Sequence, residues 1–239
     1  MNRTPNMLTR EAFEGRLRET ARARYHDTHP FHLRMHAGKL DKRQIQAWVQ
    51  NRYYYQTCVP IKDALILSKM PDPAWRRRWI RRIHDHDGER EGEGGLFLWL
   101  KLAEGVGLDP AAVERCQEVL PAVRFACDAY VTLVRERPLI EAVASSLTEL
   151  FAPDLMESRI EVWKQHYPWV DRELQAYFRS RPPKARHDSQ EALDFVMTFA
   201  ESRAEQERCL EAFAVKCEIL WALLDAVDRA YPDSGATPG

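Results

Sequence analysis

No stretch of this chain is apolar for long enough to cross a membrane: runs such as 64–67 fall far short, where a bilayer demands about 20 residues. The N-terminus lacks the adjoining basic and apolar blocks of a signal peptide, so a cytoplasmic protein is expected. An excess of one charge is missing too. The 35 basic and 36 acidic residues leave a formal charge of -1, and no global field steers the chain towards nucleic acid or anionic lipid. The five cysteines, Cys58, Cys116, Cys127, Cys209 and Cys217, are odd in number and nowhere spaced Cys-x-x-Cys. That argues against a disulfide framework or a structural zinc site, and they read as semi-buried free thiols. Alternating β-branched runs bounded by turn residues are also absent, as are internal repeats. What remains is an all-α chain of 239 residues, 45% hydrophobic, enough for one sizeable core. A single helical domain over 1–231 is expected, with a small-residue tail at 232–239.

Helix boundaries are written plainly. Asp41-Lys-Arg-Gln44 reads as a capping box, after which Ile45, Trp48, Val49, Tyr53 and Val59 keep helical spacing to a kink expected at Pro60. Asp72-Pro73 and Asp109-Pro110 repeat a cap-then-proline start. Helices are expected over 73–86, 96–106, 122–135 and 139–151, with shorter pieces around Pro153 and Pro168. The proline- and glycine-free span 188–230 predicts one long helix or two joined end to end. Arg181-Pro-Pro-Lys-Ala-Arg186 and the cluster Gly88, Gly92, Gly94 and Gly95 read as the clearest loops, either of which would serve as a lid.

Chemistry enters through polar pairs that interrupt apolar helical patterns: Arg52 with Gln56, Arg82 with His86, and Tyr177 with Arg181. Each pair is spaced i,i+4 and shares a helix face. Packed together, such helices line a cationic hole suited to an anion. Tyr55, three residues after Arg52, is the ring of the Tyr53-Tyr54-Tyr55 block assigned to that hole. Lys62 and Lys216 would complete a carboxylate site or else snorkel to solvent. Arginine supplies fixed charge, tyrosine a hydrogen bond, and histidine a group that titrates near neutrality.

Metal chemistry is less well served. His84-Asp85-His86-Asp87-Gly88, followed by Glu89, Glu91 and Glu93, is rich in ligand types, but His84 and His86 point to different sides of a helix. A solvated acidic loop after one functional histidine is the better reading. Facing Glu-x-x-His pairs for a dimetal centre are not evident: Glu149 could supply one carboxylate, yet the position one turn beyond Tyr177 is the fixed cation Arg181. No metal is expected, although His26, His32, His36 and His166 leave mononuclear binding open. No Gly-x-Ser-x-Gly elbow is present, and Cys58 and Cys127 lack a histidine nearby in sequence to activate them.

The ordered motifs Tyr25-His26-x-x-His29-Pro30, Asn51-Arg52-Tyr-Tyr-Tyr55-Gln56, Asp85-His86-Asp87-Gly88, Ser145-Ser-Leu-Thr-Glu-Leu-Phe-Ala-Pro153, His166-Tyr-Pro-Trp169 and Tyr177-Phe-Arg-Ser-Arg181 resemble the pyrroloquinoline quinone synthase family. That family belongs to the heme oxygenase-like and TenA-like helical superfamily. The resemblance runs from about Leu8 to Tyr231. It implies a compact seven-helix bundle, usually a homodimer, that closes the second ring of a tricarboxylated bicyclic precursor and oxidises it by eight electrons. Dioxygen is the implied oxidant and hydrogen peroxide a product, with no metal or redox cofactor. Carried over by position, His86, Tyr177 and Arg181 match the oxygen-handling core. Tyr25, His26, Arg52, Tyr55, Gln56, Lys62, Arg82, Thr148, Glu149 and Lys216 match substrate positions. One position departs: the family has histidine three residues after Ala152-Pro153, where this chain has Met156. Methionine neither donates a hydrogen bond nor shuttles a proton, which implies slower late oxidation with ring closure intact, or loss of activity.

Three rivals stay open. A TenA-like thiamine-salvage hydrolase would need a nucleophilic cysteine facing an acidic residue, and a cationic lining disfavours its cationic substrate. A metal-dependent oxygenase of the same fold would reveal itself by metal content. A catalytically idle paralogue would bind the precursor tightly without turning it over.

Overall fold

A computed structural model describes residues 7–171 and 175–233. The tail expected at 232–239 therefore lies almost wholly outside the described residues. The rest is α-helical: α1 (Arg10–Arg24), α2 (Pro30–His36), α3 (Lys42–Lys69), α4 (Pro73–Asp87), α5 (Gly94–Gly105), α6 (Pro110–Glu114), α7 (Pro121–Glu136), α8 (Leu139–Ser145), α9 (Ala152–His166), α10 (Ala176–Phe199) and α11 (Arg203–Ala230). Short 3-10 turns follow at His26–Thr28 and Ser146–Leu150. Among the described residues, no helix is long and apolar enough to cross a membrane.

The capping signals work as written. Asp41 accepts from the Gln44 backbone while the Gln44 side chain reaches back to the Asp41 N–H. Asp72 and Asp109 each accept from the second residue of the helix they start. Pro60 sits inside α3, which carries through it. At the end of α4, Gly88 turns the chain with φ of +83°. Gly94 starts α5 so close to that turn that a Cβ there would meet Gly88 N at 2.4 Å.

Several expectations need correction. The seven-helix count is exceeded because prolines and turns cut the chain into shorter pieces such as α2, α6 and α8. The helix expected over 139–151 tightens into a 3-10 turn at Ser146. Of the two readings of 188–230, a pair of helices end to end is the one found: α10 ends at Phe199 and α11 starts at Arg203 behind a Ser202–Glu205 capping box. The supposed loop 181–186 is interior to α10, with Pro182 and Pro183 inside the helix. Those prolines remove two donors. The segment stays helical because its inward face is buried, with Tyr177, Phe178, Arg181, Ala185 and Asp188 packed against α9, α5 and the 3-10 turn at Ser146–Leu150.

Two apolar clusters hold the bundle together. One centres on Trp48, Trp99, Trp163 and Phe178, the other on Phe13, Tyr130, Phe195 and Phe213. Tyr55 packs against both. The functional cavity opens at this junction, where α3 crosses between them.

Candidate active site

Eight segments converge on a cavity of about 70 Å³, α11 contributing Leu220. α3 supplies Arg52, Tyr55 and Gln56, α4 His86, the Ser146–Leu150 turn Thr148 and Glu149, and α10 Tyr177 and Arg181. Tyr25 and His26 enter where the chain leaves α1, α9 contributes Met156 and Arg159, and α5 contributes Trp99. Ten of the thirteen residues singled out from sequence thus share one lining. Lys62, Arg82 and Lys216 do not line it; they stand behind it, all at most 1% exposed.

One side of the cavity is an ion-pair network. Arg82 Nη1 lies 2.9 Å from Glu149 Oε2, and its other nitrogen donates to the Asp188 carbonyl. Lys62 donates to Ser146 Oγ at 2.9 Å, with Asp63 at 2.8 Å and Glu149 at 3.9 Å. Burial opposes the charge on Glu149, but Arg82, Lys62 and Arg181 outweigh it and hold the carboxyl well below its usual range. Burial alone would strip the Lys62 proton, yet Asp63, Tyr130 and Glu149 keep the ammonium charged.

His86 meets that network. Its Nδ1 lies 3.1 Å from the Arg82 carbonyl, which can only accept, so Nδ1 carries the proton and Nε2 is left as an acceptor. Burial and then Arg181 push its pKa well below the ordinary value. The ring is a neutral base. Tyr177 donates to Gln56 Oε1 at 3.0 Å and stacks edge-on against Trp99 at 4.7 Å. Burial raises its pKa despite Arg181 and Arg52, so it stays a phenol. The Nε and Nη1 of buried Arg181 have no hydrogen-bond partner.

The other side holds cations that no carboxylate answers among the described residues. Arg52 lies over the Tyr55 ring at 3.9 Å. Arg159 lies over Trp48 at 4.8 Å, its Nε unpartnered. Burial and then Arg52 lower the Arg159 pKa to about 9. Behind them Lys216, fully buried with Nζ unpartnered, sits 3.3 Å from the Tyr130 ring centroid and 4.2 Å from that of Tyr55. Burial and then Arg52 push its pKa well below that of an ordinary lysine.

Arg159 is the functional cation that the sequence reading missed. A signal existed: it lies three residues after Met156 and seven after Ala152, on one face of α9. Met156 itself faces the cavity, so the departure from the family pattern falls within the site. His84 turns outward towards Glu89 at 3.6 Å, away from His86. No three His, Cys, Asp or Glu side chains converge as a metal-ligand group among the described residues.

Comparison with known proteins adds the family. A TENA/THI-4/PQQC family model matches residues 14–226. The chain belongs to that family. It is 48% identical over its whole length to a pyrroloquinoline-quinone synthase of Rhodopseudomonas palustris (strain TIE-1), covering 94% of that protein. It is 50% identical to the pyrroloquinoline-quinone synthase of Rhizobium meliloti, over 96% of this chain and 90% of the other. Among solved structures, a heme oxygenase-like domain of unknown function from Shewanella denitrificans superposes with a TM-score of 0.78 at 13% identity, covering 97% and 98% of the two chains. A TenA homologue from P. horikoshii gives 0.71 at 15% identity, covering 92% and 99%. At those identities the family's shared property with these structures is the fold.

Proposed function

We propose that the chain is a pyrroloquinoline-quinone synthase, an oxidoreductase acting in pyrroloquinoline quinone biosynthesis. It closes the second ring of a tricarboxylated bicyclic precursor and removes eight electrons, with dioxygen as oxidant and hydrogen peroxide as product. The observation that carries this reading is the set of cations around the cavity, of which half-buried Arg52 and buried Arg159 face no carboxylate among the described residues. A polycarboxylate supplies the missing charge.

Roles follow from protonation states. Neutral His86 takes the proton lost as the ring closes, at Nε2. Tyr177 donates its phenolic proton to oxygen anion as it develops, and Arg181 adds fixed charge beside it. An electron-rich bound substrate reduces dioxygen itself, and the protein's share is proton transfer and anion stabilisation. No metal or organic cofactor enters this scheme. The cavity of about 70 Å³ is small beside the roughly 300–1,000 Å³ of ordinary ligand sites, so its walls part to admit the precursor.

Met156 leaves the cavity without a titrating group at its position, and the consequence proposed is slow late oxidation with ring closure retained. Oxygen uptake and peroxide release after mixing with the precursor test the whole reading: both accompany quinone formation if it holds, and an unaltered precursor refutes it. Met156→His is expected to speed the last oxidative phase, and identical phases in both proteins would remove this position from the account. A cytoplasmic homodimer completes the proposal. It is supported by Phe125, 78% exposed on α7 beside an apolar groove formed with α11, and light scattering at micromolar protein tests it.

A further inference from the structure

His32, on α2, lies outside the cavity lining yet touches two residues within it. Its Nδ1 is 2.9 Å from the His26 carbonyl oxygen and 3.1 Å from His26 Nδ1. Its Nε2 is 3.4 Å from Arg159 Nη2. A guanidinium can only donate and a carbonyl can only accept. His32 Nε2 must therefore accept from Arg159, and its single proton sits on Nδ1, shared between the carbonyl and His26 Nδ1. That makes His26 Nδ1 an acceptor. Burial, with Arg52 and Arg159 nearby, holds both rings neutral, so the one proton of His26 is on Nε2. The opposite assignment would aim the His32 Nδ1 lone pair at a carbonyl and an Nε2–H at a guanidinium, two repulsions in a fully buried site.

We infer that His32, braced by Arg159, is a positioning residue that fixes His26 as an Nε2–H donor, the opposite tautomer to His86. The two cavity histidines then divide the work. His86 offers a lone pair, because its own N–H is spent on the Arg82 carbonyl. His26 offers a hydrogen, because its Nδ1 is spent on His32. A neutral imidazole free to switch tautomer could do neither reliably. The ligand-facing half of this inference, donation from His26 to an oxygen anion of the precursor, rests on the proposed function; the tautomer itself does not.

The decisive experiment is a multiple-bond proton–nitrogen correlation spectrum of ligand-free protein labelled with nitrogen-15 in histidine. Resonances are assigned by the His26→Gln and His86→Gln variants. His26 is expected to be protonated at Nε2 and His86 at Nδ1; protonation of His26 at Nδ1 overturns the inference without recourse to any further variant. In His32→Phe, which removes the donor to His26 Nδ1, His26 is expected to become a mixture of tautomers. In His32→Gln, whose amide can accept from Arg159 and donate one N–H to the His26 carbonyl and the other to His26 Nδ1, the Nε2 form is retained. A His26 tautomer unchanged in His32→Phe contradicts the positioning role. With precursor present, His32→Phe is expected to weaken binding about tenfold, the loss of one oriented hydrogen bond to a charged group. Unchanged binding alongside an altered tautomer would refute the ligand-facing half alone.

Discussion

The side of the cavity that carries Arg82, Lys62 and Glu149 and the side that carries Arg52 and Arg159 both hold cations, but only the first answers them with carboxylates among the described residues. Arg82 and Lys62 meet Glu149 and Asp63 within the protein. Arg52 and Arg159 meet aromatic faces and, for Arg159, a histidine nitrogen. The first pairs its charges within the protein and fixes the tautomer of His86. The second is complete only when an anion arrives. Charge that holds the fold and charge that recognises the substrate are thus physically separate.

The separation is broken most severely at Glu149. Glu149→Gln takes the carboxylate from buried Arg82 and leaves Lys62 with Asp63 alone, and is expected to cost about 3–5 kcal/mol of stability, read as a lowered urea midpoint. A loss near zero would mean that the wall is solvated and not an ion-pair network. Arg159→Met should do the reverse. Removing a buried charge that has no carboxylate partner leaves stability unchanged or raised, while precursor affinity falls by an amount equivalent to about 1.5–3 kcal/mol. Calorimetric titration in the absence of oxygen checks the affinity, and lost stability with intact binding would invert the comparison.

A finer test joins the two walls through Arg181. Because burial first and Arg181 second depress the His86 pKa below 6.5, neutral His86 favours the folded state above that value and loses the contribution as pH falls. Its protonation midpoint should therefore lie well below 6.5. In Arg181→Met the midpoint rises but stays below 6.5, since burial remains. A midpoint unmoved in the nitrogen-15 titration would show that Arg181 does not act on His86.

Much of this was legible beforehand, for identifiable reasons. The capping box at Asp41 and the cap-proline starts at Asp72 and Asp109 are local chemistry, and the structure reproduces them bond for bond. The i,i+4 pairs located α3 and α10 as cavity walls, because helical spacing fixes which residues share a face. Pro182-Pro183 misled because tertiary packing of Arg181, Ala185 and Asp188 overrides a local preference that sequence alone weighs as decisive. Arg159 and His32 were missed for a different reason. Their importance lies in which partner sits across the helix interface, and an arginine on an amphipathic helix reads as a solvated charge until its burial is known. Lys62, Arg82 and Lys216 were read as substrate-pocket positions, but sequence could not tell the layer that touches a ligand from the layer behind it.

The most direct measurement uses protein treated exhaustively with a chelator and shown to be free of metal, mixed with the tricarboxylated bicyclic precursor in air. Absorbance of the quinone product is followed over time. Product formation at the rate of the untreated protein is the result expected of a cavity that works through charge, tautomer and phenol alone. Tight precursor binding with no product until a metal is restored would contradict it.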